Sequence, residues 1–121
     1  MEFYAKSPAP LCAEQLQQLS ISQLPKACNL IDRVLDDQGE WGEIYCLWGQ
    51  FIVHREVIRD GLRFTLPKCP NALQWTLTAE ADGSLIHCTI NRAEHDAEFI
   101  ETIELFVEAW QQGLRDWHGA L

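Results

Sequence analysis

The clearest hydrophobic pattern in the chain is an alternation of apolar and polar residues on both sides of Asp82-Gly83. Asp-Gly is a preferred pair for a two-residue type I′ turn, because both of its residues need positive φ angles. With that turn, Leu77 faces Cys88, and one face of the ribbon is apolar while the other carries threonines. A slip of one residue would exchange the two faces. The pattern therefore predicts an antiparallel hairpin over residues 73–91.

The chain before this hairpin carries the signals of further strands. Residues 62–66 alternate in the same way after a turn at Asp60-Gly61. The runs 51–58 and 43–48, separated at Gly49, predict two more strands. Within 51–58 the phase of the alternation is unclear, which is consistent with a bulge or with a strand covered on both faces.

The hydrophobic pattern of the N-terminal third specifies its secondary structure less clearly. Residues 30–35, followed by an acidic turn at 37–39, fit either a strand or a helix, because their apolar positions also match a 3.6-residue period. Pro10 precedes a spaced set of apolar residues that ends at Leu19. This arrangement predicts a short helix with proline in its opening turn, and Pro25 is expected to prevent its continuation.

The C-terminal segment predicts a long amphipathic helix. Its apolar residues recur at steps of three and four: Ile100, Ile103, Val107, Trp110, Leu114 and Trp117. Asn91, with Glu94 three residues later, has the spacing of a helix start, and Asp96 and Glu98 would then lie in the first turn. Acidic residues there suit the positive end of the helix dipole.

Together these elements predict the α+β class, with one domain over residues 1–121. The expected sheet is antiparallel, has four or more strands, and is covered on one face by the long C-terminal helix, with a short helix near the N-terminus. The order of strands and terminal helix over residues 43–117, including the step from Trp110 to Leu114, resembles the helix-grip fold. That resemblance implies a sheet wrapped around the helix and an enclosed cavity between them.

The net charge of the chain limits the classes of molecule that it is expected to bind. The 121 residues include nine Lys and Arg against eighteen Asp and Glu, so the formal net charge is −9. This excess of carboxylates argues against nucleic acids and anionic membranes as partners, because affinity for phosphates depends on clustered Lys and Arg. Five widely spaced cysteines without a C-x-x-C pair, and no secretory signal at Met1, favour a cytoplasmic protein with free thiols.

Catalytic and cofactor motifs are missing from the sequence. It contains no glycine-rich phosphate loop, no nucleophile elbow and no zinc-binding helix, and its Cys and His residues lack metal-ligand spacing. We therefore expect no metal and no other cofactor. His87 on the polar hairpin face would suit a general base, and Cys69 beside Lys68 would suit a nucleophile. Neither has an identifiable partner in the sequence, so a non-enzymatic protein is the preferred interpretation.

Three groups of residues are candidates for binding. They are polar strand positions (Thr78, His87, Thr89), tryptophans at the ends of elements (Trp41, Trp48, Trp117) and acidic positions of the C-terminal helix (Glu101, Glu104, Glu108). Trp75 and Trp110 fall on apolar faces and are expected in the core.

The leading functional hypothesis is a small acidic binding protein that acts as an adaptor, a chaperone or a subunit. Its partner would be another protein or a second copy of the chain. One alternative is a domain that binds a small apolar ligand in a pocket between sheet and helix. The other is an enzyme that uses His87 or Cys69.

Overall fold

A computed structural model describes all 121 residues. Its elements, in chain order, are β1 (Glu2–Ser7), α1 (Ala13–Gln17), a single 3-10 turn (Ile21–Gln23), α2 (Leu24–Ala27), β2 (Ile31–Asp37), β3 (Trp41–Cys46), β4 (Gly49–Ile58), β5 (Gly61–Thr65), β6 (Gln74–Glu80), β7 (Gly83–Thr89) and α3 (Ala97–Gly119). No helix among them combines the length and the hydrophobicity needed to cross a lipid bilayer.

All seven strands form one antiparallel sheet in the order β1-β7-β6-β5-β4-β3-β2. From β2 to β7 each strand pairs with its neighbour in sequence, and β1 adds beside β7, so β1 and β2 are the two edges. α3 packs on one face, mainly against β1 and β7, while α1 covers β5 and β6 and α2 lies against α3 and β2. The α+β arrangement with a helix layer on one face confirms the predicted fold class.

Strand β1 was not predicted from the sequence. Phe3, Ala5 and Ser7 point toward the helices, whereas Glu2 and the other even positions point to the opposite, open face of the sheet. The alternation was present in the sequence, but two of its three inward side chains are small. A weak apolar signal of this kind is easily overlooked in a segment of six residues.

The predicted hairpin forms as β6 and β7, with a shifted register. Leu77 faces Ile86 rather than Cys88, and the loop consists of Ala81 and Asp82. The type I′ turn was a wrong prediction, because in this segment only Gly83 has a positive φ, of 145°. Gly83 begins β7, where a Cβ would overlap the carbonyl oxygen of Ser7 in β1. The shift is two residues, so the predicted apolar and polar faces are nevertheless correct.

The ambiguous segment at 30–35 belongs to strand β2. Two register shifts, between Ile31 and Arg33 and between Val34 and Asp36, interrupt its pairing with β3. A bulge adds a residue and resets the alternation. The apolar residues of β2 therefore have an irregular spacing that also fits a helix.

The helix boundaries differ from the prediction at both ends of the chain. Pro10 precedes α1 instead of lying in its first turn, and Pro25 lies in the first turn of α2 instead of ending a helix. α3 begins at Ala97 rather than at Asn91. Asp96 is its N-cap and accepts a hydrogen bond from the amide of Phe99, at 3.2 Å. A side chain that accepts this amide stabilises the start of the helix at Asp96, and Asn91 lies too early to do so.

The core between the sheet and the helices is built around aromatic rings. Trp75 and Phe106 meet edge to face with centroids 4.9 Å apart, and Trp110 stacks near Phe64 at 6.2 Å. All four side chains are almost completely buried, as predicted for the two tryptophans. Since these rings fill the space between sheet and α3, the cavity implied by the helix-grip resemblance is not formed there.

Three of the five free cysteines, Cys28, Cys46 and Cys88, belong to this core. Burial raises the pKa of Cys28 to about 12 and that of Cys88 to about 12, because a thiolate loses its hydration there. The folded protein therefore keeps both thiols protonated at pH values where an unfolded chain would ionise them.

This difference predicts a loss of stability in alkali. Above pH 9, where thiols of the unfolded chain ionise, the unfolded state binds fewer protons than the folded state. Between pH 8 and pH 10 the free energy of unfolding should thus fall by about 1.4 kcal/mol in total for each of the two thiols. Urea titrations at pH 8 and pH 10 in the presence of a reductant measure the slope. Cys28→Ala should flatten it and Cys12→Ala, at an exposed position, should not; equal slopes in all three proteins would contradict the assignment.

Candidate functional site

The polar hairpin positions lie on the open face of the sheet, opposite α3. Thr78, His87 and Thr89 are all half-buried there. His87 stacks on the ring of Tyr4, with centroids 4.4 Å apart, and its Nε2 lies 3.1 Å from Oε1 of Glu2. The structure therefore supplies a carboxylate partner that the sequence did not reveal. None of the four surface grooves is lined by His87, however, so no concave site accompanies the pair.

The three tryptophans at element ends are not brought together. Trp117 is only 7% exposed and belongs to the core. Trp48 packs on Phe106 and donates a hydrogen bond from Nε1 to Oγ1 of Thr102, at 2.9 Å, which ties the β3–β4 turn to α3. Trp41 is the most exposed of the three, at 44%, and lines a surface groove on the open face.

Cys69 lies in the loop between β5 and β6. It is half-buried against the core, and its amide donates to the carbonyl of Leu66 at 3.0 Å. Its thiol has no hydrogen-bond partner, and no group of three or more His, Cys, Asp or Glu side chains converges anywhere in the structure. The structure therefore shows no hydrogen-bonded base beside the thiol of Cys69, the arrangement by which a nucleophilic cysteine is commonly activated.

The acidic positions of α3 line the largest groove on the molecule. Glu101, Glu104 and Glu108 follow one flank of the helix, since residues three and four apart lie above one another. Facing them across a volume of about 530 Å³ is strand β1, and the complete lining is Phe3, Tyr4, Ala5, Glu101, Glu104, Leu105, Val107, Glu108 and Gln111. We call this feature the β1–α3 groove.

One wall of the β1–α3 groove is an unpaired strand edge. Both the amine and the carbonyl of Met1 bond to Ile90, which makes these two residues a hydrogen-bonded pair at the start of the β1–β7 ladder. Bonding alternates along an antiparallel ladder. The amides and carbonyls of Glu2, Tyr4 and Lys6 therefore point away from β7, toward the free side. The carbonyl of Lys6 accepts a bond from Nε2 of Gln111 at 2.6 Å, as this geometry requires.

The opposite edge of the sheet is protected against further pairing. β2 carries two register shifts and a series of charged residues, among them Asp32, Arg33, Asp36 and Asp37. Bulges and charges are the usual means by which proteins prevent the addition of another strand. β1 pairs with β7 without interruption, so it is the regular edge of the two.

The charged side chains that line the β1–α3 groove are all negative. Glu101, Glu104 and Glu108 are exposed and none of them forms an ion pair. The one cation on β1, Lys6, pairs with Glu80 at 2.9 Å and with Asp82 at 3.3 Å, and hydrogen bonds to these two carboxylates raise the pKa of Lys6. The groove therefore combines three uncompensated negative charges with the open amides and carbonyls of Glu2 and Tyr4 and the open amide of Lys6, while the carbonyl of Lys6 is held by Gln111.

Comparison of the chain with protein-family models, with curated proteins and with solved structures finds no match.

Proposed function

We propose that this protein binds an extended, basic segment of a partner protein, which pairs with β1 as an eighth strand and lies along the acidic flank of α3. The observation that carries the proposal is the β1–α3 groove, where an open strand edge runs beside three unpaired carboxylates. Addition of a peptide strand to a free sheet edge is a common mode of recognition, in which main-chain bonds give affinity and side chains give specificity.

Charge complementarity favours a basic segment over a second copy of the chain. Two copies that met through β1 would bring together two acidic grooves, and each copy has a net charge of −9. Like charges across an interface oppose association. The exposed carboxylates likewise oppose a small apolar ligand in the groove, and aromatic rings occupy the space between sheet and α3.

The role that fits such a groove is that of an adaptor or a chaperone. A segment recognised through its backbone must be unfolded or mobile before it binds, and the protein would hold it in extended form. No catalytic step is part of this proposal. A cytoplasmic location, where thiols stay reduced, agrees with five free cysteines.

The test compares two labelled nine-residue peptides by fluorescence anisotropy. One peptide alternates Lys with Thr, and the other has Glu in place of each Lys. The lysine peptide should bind, with an affinity that falls as salt rises, and the glutamate peptide should not. If neither peptide binds, or if both bind equally, the proposal is wrong.

Substitutions locate the binding site. The double variant Glu104→Gln/Glu108→Gln should weaken binding of the lysine peptide by about two- to thirtyfold, since each of the two exposed charge pairs contributes about 0.2–1 kcal/mol. The control, Glu14→Gln/Glu40→Gln, changes the net charge equally at two exposed positions outside the β1–α3 groove and outside any ion pair. Equal weakening by both variants would mean that total charge, rather than this groove, determines binding. The proposal would also be contradicted if light scattering showed that the protein is a dimer and the dimer did not bind the peptide.

A further inference from the structure

We infer that the bound segment carries its basic side chains at every second position, with three of them at i, i+2 and i+4. This inference rests on the proposed function and defines the chemistry of the partner. It follows from the geometry of β1 and α3 rather than from charge alone.

Alternation along a strand divides the side chains of any added strand into two sets. One set shares the inner face of the sheet with Phe3 and Ala5, which line the β1–α3 groove together with α3. The other set shares the open face with Glu2 and Tyr4. Only the inner set lies on the side where Glu101, Glu104 and Glu108 are found.

The spacing of the carboxylates matches three members of the inner set. Along a helix that rises 1.5 Å per residue, Glu101 and Glu108 are about 10 Å apart. Three alternate residues of a strand span about 13 Å. The flexible stems of lysine cover the difference, and they would lie over exposed Leu105.

The side chains of the added strand that lie on the open face would contact a different surface. Tyr4 is exposed there and stacks on His87, while Lys6 is already paired with Glu80 and Asp82. A basic side chain at these positions would find no free carboxylate except that of Glu2, which already lies beside His87. Neutral residues such as Thr or Val therefore suit the positions between the lysines.

The experiment uses two peptides of identical composition. The first has the central sequence Lys-Thr-Lys-Thr-Lys and the second has Thr-Lys-Lys-Lys-Thr, with the same flanks. A strand formed by the first places three lysines on one face, whereas the second places at most two. In competition for the 121-residue protein, the alternating peptide should bind at least threefold tighter, and Glu104→Gln/Glu108→Gln should reduce that ratio toward one.

The outcomes separate the inference from the proposed function. If the two peptides compete equally and the double variant weakens the binding of both, the groove binds basic segments, but the inference that the basic residues alternate is wrong. If neither peptide binds, the proposed function itself fails and the inference with it. If the alternating peptide is preferred and the ratio is unchanged in the double variant, the preference does not arise from α3, and the inference is overturned. Circular dichroism checks that the variant remains folded.

Discussion

Replacement of Gly113 by Ala is expected to lower the free energy of unfolding by about 1–2 kcal/mol even after the gain in helix propensity is subtracted. Gly113 lies in α3 where that helix crosses α2, and a Cβ there would overlap the carbonyl oxygen of Ala27. A backbone carbonyl cannot change rotamer to avoid the overlap as a side chain can, so the two helices would have to separate. Overpacking of this kind typically costs about 1–3 kcal/mol or more, against a gain in helix propensity of about 1 kcal/mol.

The matched control is Gly119→Ala near the end of the same helix, where nothing beyond the adjoining helix backbone and chain neighbours lies within 4 Å of the added methyl group. That variant should be neutral or slightly more stable than the wild type. Urea titrations of the three proteins at neutral pH give the comparison. If Gly113→Ala and Gly119→Ala had the same stability, the close contact between α2 and α3 would be refuted.

Trp110→Ala should have the largest effect of any core substitution, a loss of about 3–5 kcal/mol. The side chain is fully buried and contacts the rings of Phe64, Trp75 and Phe106. Domains of this size are stable by only about 5–15 kcal/mol, so the variant should lose a large share of its stability and melt at least about 10 °C below the wild type.

A second variant at the same position separates packing from hydrogen bonding. Nε1 of Trp110 is buried without a partner, so Trp110→Phe removes an unsatisfied donor while it keeps most of the ring contacts. It should therefore retain much more stability than Trp110→Ala. Thermal unfolding followed by circular dichroism measures both. A melting temperature of Trp110→Ala only one or two degrees below that of the wild type would contradict the packing described above.

The elements that the sequence predicted are those specified by local periodicity. Strands β5, β6 and β7 alternate, α3 has a 3.6-residue repeat, and Trp75 and Trp110 lie on the apolar faces that these patterns define. The turn at Asp82-Gly83 was predicted less well. Its conformation depends on Ser7, a residue distant in sequence whose carbonyl excludes a side chain at Gly83.

The candidate site was predicted only in part for the same reason. Glu101, Glu104 and Glu108 could be recognised as an acidic face of α3. The groove exists only because β1 pairs with β7, more than seventy residues later in the chain, and no local pattern specifies that pairing. Tertiary packing also determined that Trp117 is buried, although its position near the end of α3 suggested a contact surface.

Amide hydrogen exchange followed by NMR tests the central claim, that β1 accepts another strand, most directly. The amides of Glu2, Tyr4 and Lys6 point to the free side of β1. On addition of the lysine-threonine peptide they should become protected from exchange, because each then forms a main-chain hydrogen bond with the added strand or lies next to one. The amides of Phe3 and Ala5 already bond to β7 and should change little. If the peptide bound and the exchange of Glu2, Tyr4 and Lys6 stayed the same, attachment would occur without strand addition, and this account would be wrong.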